Sequence, residues 1–297
     1  MINVATYSNR LINYFSNEVQ HPNTIKLFRK CVYMFLIING LILLPIADQI
    51  WSPETYLIHY HPFQNFLLKF LNVMSRPSVN EYYLVFVIGQ ILFAITGLIG
   101  FIPRISAIMV YFFTANLYYS AASIQTGGTN LMMLLLLYMI FVDENPSKTR
   151  NPKRETLNIT ISNFAFLACM VQVCIVYFVS AVYKLQGSHW LDGSAIYYVL
   201  NVDTYTTPFL KEHIASRDWI TIPLTYFTLG FQLIFPFFVW IKKLKPVTLT
   251  LGIILHVCIG WMLGLMDFSV IMIIAYVLFF SHEFSIRLLN KFRYNKL

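Results

Sequence analysis

Long apolar stretches alternate with short polar junctions along the chain, and eight of them predict membrane-crossing helices. They fall at about 31–47, 83–102, 105–124, 130–142, 160–183, 220–241, 247–266 and 268–281. A crossing takes roughly 20 apolar residues, with about 17 tolerated, so the fourth and eighth are short. The stretch from Ile105 to Val142 holds no charged residue. As one helix it would reach about 57 Å at about 1.5 Å per residue, close to two bilayer crossings, which predicts a hairpin with its turn at Gln125-Thr126-Gly127-Gly128-Thr129. Two further segments show apolar positions at helical spacing opposite polar ones and predict short amphipathic interfacial helices. One places Val4, Tyr7, Leu11, Tyr14 and Phe15 among Asn3, Asn9, Arg10 and Asn13. The other places Phe63, Phe66, Leu67, Phe70, Leu71 and Met74 opposite Gln64, Asn65, Lys69 and Asn72.

The expected fold is all-α, a polytopic membrane helix bundle of about eight transmembrane helices. The expected layout is an amphipathic N-terminal segment over 1–30, a single transmembrane bundle over 31–281 with long loops at 51–82 and 184–219, and a basic tail over 282–297. No small-residue cleavage pattern follows the first apolar run, so a retained N-terminus is expected.

Composition agrees with lipid as the solvent. The chain of 297 residues is 58% hydrophobic and 11% charged, with 26 Phe and 19 Tyr, and its mean hydropathy is +0.63. That leaves too little polar surface for a water-soluble globule. The formal charge of +8 does not point to nucleic acid, because the bases fall in short clusters between apolar runs. Instead they set sidedness, since Lys and Arg are retained on the cytoplasmic side. With both termini cytoplasmic, sixteen of the 21 bases lie inside, and eight of the 13 acids lie outside. The expected location is therefore a bacterial-type inner (plasma) membrane. Cys31, Cys169, Cys174 and Cys258 sit in apolar runs without paired spacing and read as packing residues.

Charged groups at the centre of a span cost on the order of 2.5–3.5 kcal/mol, so the few polar groups at depth are the natural candidates for chemistry. His256 lies near the middle of the seventh span, on a row with Gly252, Gly260 and Gly264 that lets another helix approach. It reads either as a proton acceptor or ligand-orienting group, or as an interhelical hydrogen bond. Lys184 ends the fifth span with Ser180 and Tyr177 on its face. Its ammonium is either a base or anion anchor, or a snorkelling side chain. Asp267 is placed to pair with Lys184 or to be hydrated. Asn116, with Tyr119, Ser120 and Ser123, borders a polar cavity or makes helix-packing hydrogen bonds. His59 and His61 have alternate spacing but no third ligand, and no metal is expected.

The run QVCIVYFVSAVYKLQGSHWLDGSAIYYVL from Gln172 carries Lys184-Leu185 followed by Trp190, Gly193 and Tyr197. Together with His256 through Phe268 and Val270 to Phe280, it resembles the horizontally transferred transmembrane (HTTM) family, over roughly residues 25–290. The best-understood relatives in that family are vitamin K-dependent gamma-carboxylases. The resemblance implies Lys184 as the base that deprotonates reduced vitamin K, at an outward-facing site. Two departures argue against glutamate carboxylation. Aligned through Phe141-Val142-Asp143-Glu144-Asn145, the carboxylase Asn-His pair falls on Gly127-Gly128, and the large β-rich lumenal part is missing. The family includes small bacterial members without that part, some resembling proteins needed for maturation of secreted toxin peptides.

The expectation is an integral membrane protein and a candidate membrane-embedded enzyme acting on a quinone, lipid or exported peptide. Lys184 and His256 are its candidate catalytic residues; Tyr177, Ser180, Trp190, Asp267 and Asn116 are its candidate ligand contacts. The competing expectation is a non-catalytic membrane partner or maturation factor for an exported protein. Partners expected are the lipid bilayer and an exported peptide or membrane protein, not nucleic acid.

Overall fold

In a computed structural model the described residues are 13–55, 73–74, 76–121, 124–144 and 151–294. Most of both predicted interfacial helices, and His59 and His61, lie outside them. All regular structure among the described residues is helical. The main helices are α1 (Pro22–Leu43), α2 (Tyr83–Ile99), α3 (Pro103–Ser120), α4 (Gly127–Met139), α5 (Pro152–Lys184), α6 (Asp218–Phe238), α7 (Lys245–Leu263), α8 (Met266–Tyr276) and α9 (His282–Tyr294). The first eight fall on the eight predicted crossings. α1 with its continuation to Trp51, α5, α6 and α7 are long and apolar enough to cross a membrane, whereas α2, α4 and α8 with its extension to Phe279 are shorter apolar helices.

Local chemistry sets the boundaries. Pro22 and Pro103 sit in the first turns of α1 and α3, where a missing N–H is harmless. Gly100 and Gly264, at φ 80° and 70°, stop α2 and α7 in a left-handed conformation that L side chains resist. The hairpin turn lies earlier than the sequence predicts. Thr126 caps α4 in a reciprocal box with Thr129 at 2.8 and 3.2 Å, so Gly127-Gly128 form the first helical turn instead of the loop.

The chain forms two compact units, Met1–Cys169 with Phe280–Leu297, and Met170–Phe279. In the first, Trp51, Met74, Phe86, Val87, Ile91 and Leu117 form a buried core, and Trp51 Nε1 donates to the Leu117 carbonyl at 2.8 Å. At one end, buried Arg29 donates to Glu144 at 2.9 Å and to the Val142 carbonyl at 2.7 Å. Arg104 donates to Asp143 at 3.0 Å. The starts of α1 and α3 and the segment after α4, which the charge pattern assigns to one side, thus meet. α1 begins before its predicted crossing, and within that early part these bonds engage both terminal nitrogens of Arg29, where an unpaired guanidinium would be costly. α9 packs at the same end of α1, with Thr24 and Ser285 hydroxyls 3.0 Å apart.

Candidate functional site

The second unit holds most of the sequence-derived candidates. Lys184 is the last residue of α5, and its Nζ donates to Ser180 Oγ, one turn earlier, at 2.7 Å. The ammonium lies 5.0 Å from the centroid of the Trp190 ring, a cation–π distance. Both side chains are half-buried. Among the described residues no carboxylate lies within ion-pair distance of Lys184.

The turn that brings Trp190 over the lysine is pinned to α6. Tyr226 Oη donates to the Leu191 carbonyl at 2.9 Å, and Thr225 Oγ1 accepts the Ile196 N–H at 3.1 Å. Gly193 has φ +83°, and a Cβ there would stand 3.1 Å from both Ile222 and Tyr226, so close approach and backbone sign both demand glycine. Within the same exposed turn the Ser194 hydroxyl and N–H hold the Asp192 carboxyl below the usual carboxylate range. The motif Lys184, Trp190, Gly193 is therefore one physical object: cation, aromatic cover, and the joint that fixes the cover.

Tyr177 lies two turns before Lys184, about 10 Å lower by helical rise. It is fully buried and belongs to a second polar cluster. Its Oη meets His256 Nε2 at 2.6 Å and is hydrogen-bonded to the Tyr276 hydroxyl. Its ring stacks on Phe235 with centroids 4.1 Å apart. His256 is 3% exposed, and its Nδ1 has no partner among the described residues. Gly252, one turn earlier on α7, makes the approach of Tyr276 feasible, since a Cβ there would lie 2.6 Å from Tyr276 Cζ. Tyr276 was invisible as a candidate in the sequence: it is one of 19 tyrosines, and no spacing rule singles it out.

Asp267 sits half-buried in the first turn of α8 and makes no ion pair with Lys184. Asn116 belongs to the first unit, where its carboxamide accepts the Met74 N–H at 3.0 Å and donates to the Phe112 carbonyl at 2.9 Å. Ser120 donates to the Leu117 carbonyl at 3.1 Å. The Met74 bond fastens a separate backbone segment to α3 in the Trp51 core, and the other two lie within α3 itself.

A family model described as the HTTM domain matches residues 21–284, nearly the whole chain. The chain belongs to the HTTM family. The HTTM chain is a multi-pass membrane protein, and it is similar to two proteins of Bacillus subtilis (strain 168). One, the uncharacterized protein YitO, is 29% identical over 184 residues, 59% of this chain and 59% of the relative. The other, the sporulation-delaying protein SdpB, is 22% identical over 212 residues, 68% of this chain and 64% of the relative. The HTTM chain thus covers less than two thirds of either relative's length. No solved structure matches it.

Proposed function

We propose that this HTTM protein works at the non-cytoplasmic face of a bacterial inner membrane, binding a quinone, a lipid or an exported peptide, with Lys184 as the group that meets the ligand. The observation that carries the proposal is an ammonium held in place with no counter-ion among the described residues. Ser180 occupies one of its three donor hydrogens and Trp190 covers one side. A half-buried cation with spare donors and no carboxylate beside it among the described residues suits an anionic head group or a developing oxyanion. Both termini are cytoplasmic in this reading, which rests on the distribution of the bases along the chain. Glutamate carboxylation is not proposed, because Gly127-Gly128 begin α4 where the carboxylases carry Asn-His.

A second reading, a non-catalytic partner for an exported protein, draws on the segment between α5 and α6. That segment exposes Leu191, Tyr197, Tyr198 and Phe209, apolar surface of the kind that protein interfaces use.

The two readings separate on purified protein in nanodiscs, comparing wild type with Lys184→Ala for binding of a menaquinone analogue and of phosphatidylglycerol. Ligand contact predicts affinity for one of them weakened by about tenfold or more, equivalent to ~1.4 kcal/mol, at unchanged melting temperature. Unchanged affinity for both with a lowered melting temperature overturns it and leaves Lys184 as an anchor of its helix.

A further inference from the structure

The cluster around His256 has a direction. A neutral imidazole carries one ring proton and each tyrosine one hydroxyl proton, so the row Tyr276, Tyr177, His256 allows three arrangements. In the first, Tyr276 donates to Tyr177, Tyr177 donates to Nε2, and the ring proton resides on Nδ1. In the second, Nε2–H donates to Tyr177 and Tyr177 donates to Tyr276. The Tyr276 proton and the Nδ1 lone pair are then both left unmet. In a third arrangement Nε2–H and the Tyr276 hydroxyl both donate to Tyr177, whose own proton goes unmet with the Nδ1 lone pair. The first arrangement thus leaves one buried polar group unmet and the other two leave two each, and each carries its own desolvation cost. His256 therefore presents Nδ1–H, a donor, on the side away from Tyr177.

A second buried donor lies along the same pair of helices. Ser269 Oγ on α8 also has no partner among the described residues, and it stands 3.1 Å from where a Cβ would sit at Gly260, one turn after His256 on α7. The adjacent Phe268 packs edge-on against the His256 ring, with centroids 5.4 Å apart. Met266 Sδ covers Gly260 at 3.1 Å from that same Cβ position, while Met266 as a residue is exposed.

We infer that the α7–α8 seam opens, when Met266 swings aside, to bind an uncharged oxygen acceptor, the carbonyl of a membrane-dissolved hydrocarbon ketone or ester, whose two lone pairs take His256 Nδ1–H and the Ser269 hydroxyl. A carboxylate would bring a charge with no cation to meet it. A metal ion would find Nδ1 already protonated. This site is separate from Lys184 and stands or falls without it.

The test uses a benzophenone bearing a dodecyl chain, whose carbonyl is both the acceptor and the photoreactive centre, with full-length protein in nanodiscs. The expected result is saturable labelling within residues 256–269, displaced by 2-pentadecanone but by neither pentadecane nor pentadecanoate. Ser269→Ala should lower labelling by about fivefold, the size of one lost hydrogen bond. A fold-independent arm reads wild-type protein labelled with 15N-histidine, with the His256 signal assigned by its loss in His256→Gln. The ring proton is expected on Nδ1, moving to Nε2 in Tyr177→Phe. Unsaturable labelling, equal displacement by pentadecane or pentadecanoate, full labelling of Ser269→Ala, or a wild-type proton on Nε2 overturns the inference.

Discussion

The polar groups of the two units are used differently. In the first, Arg29 holds the Val142 carbonyl, Asn116 holds Met74 and Phe112, and Asn163 accepts the Gln20 N–H at 2.8 Å while donating to the Phe15 and Glu18 carbonyls at 2.9 and 2.8 Å. In the second, the central contacts run from side chain to side chain: Lys184 to Ser180, and His256 to Tyr177 to Tyr276. Side chains bound to backbone fasten one chain segment to another and have little left to offer a visitor. The first unit also pairs side chains, as Arg29 with Glu144, and both units hold unpartnered buried polar atoms, so what sets the second apart is the half-buried Lys184 ammonium, which meets a hydroxyl and no carboxylate among the described residues.

The largest test of this contrast is Arg29→Ala. It strands Glu144 and the Val142 carbonyl, and the expected loss is about 3–5 kcal/mol, the penalty for breaking a buried ion pair. Equilibrium unfolding in mixed detergent micelles measures it, and a loss below about 1 kcal/mol would erase the distinction between fastening and spare groups. Gly252→Ala comes next. Its Cβ would press on Tyr276, and overpacking of this kind costs about 1–3 kcal/mol, with loss of the Nδ1–H signal of His256 as the sharper readout. Tyr177→Phe should cost about 1–2 kcal/mol through the hydrogen bonds it deletes.

Lys184→Ala is expected to change stability by less than about 1 kcal/mol, the scale of a half-exposed cation–π contact, which would mark it as a group kept for another purpose. The smallest effect is a pH response in the 189–194 turn. The Asp192 carboxyl titrates below its ordinary value of 3.8 in the folded protein. Its contribution is therefore complete at neutral pH and is lost only as the pH falls through and below that value. Trp190 fluorescence should show an acid limb below about pH 5 that Asp192→Asn removes; an acid limb unchanged in Asp192→Asn would contradict this placement.

The spans were legible because lipid imposes a length on apolar runs, and no other solvent accounts for 38 uncharged positions between Ile105 and Val142. His256 was legible for the same reason, as a polar residue at depth. Arg29 was not: beside Lys26 and Lys30 it reads as another surface base, and only the return of Val142 and Glu144 from 113 and 115 positions away reveals its burial. The Lys184 neighbourhood was half legible. Ser180 follows from helical spacing, whereas Trp190 over the ammonium depends on Gly193 seating the turn against Ile222 and Tyr226, a tertiary fact beyond any local pattern.

That seating also imposes an order on biogenesis. Trp190 is synthesised soon after Lys184, yet its position is secured only when Ile222 and Tyr226 have left the ribosome and α6 has entered the bilayer. Until then the nascent polypeptide carries a bare ammonium at the end of a finished helix. A ribosome stalled shortly before residue 222 should thus yield an inserted intermediate whose lysine reacts freely with amine-directed reagents, and one stalled well past residue 226 should yield a shielded one.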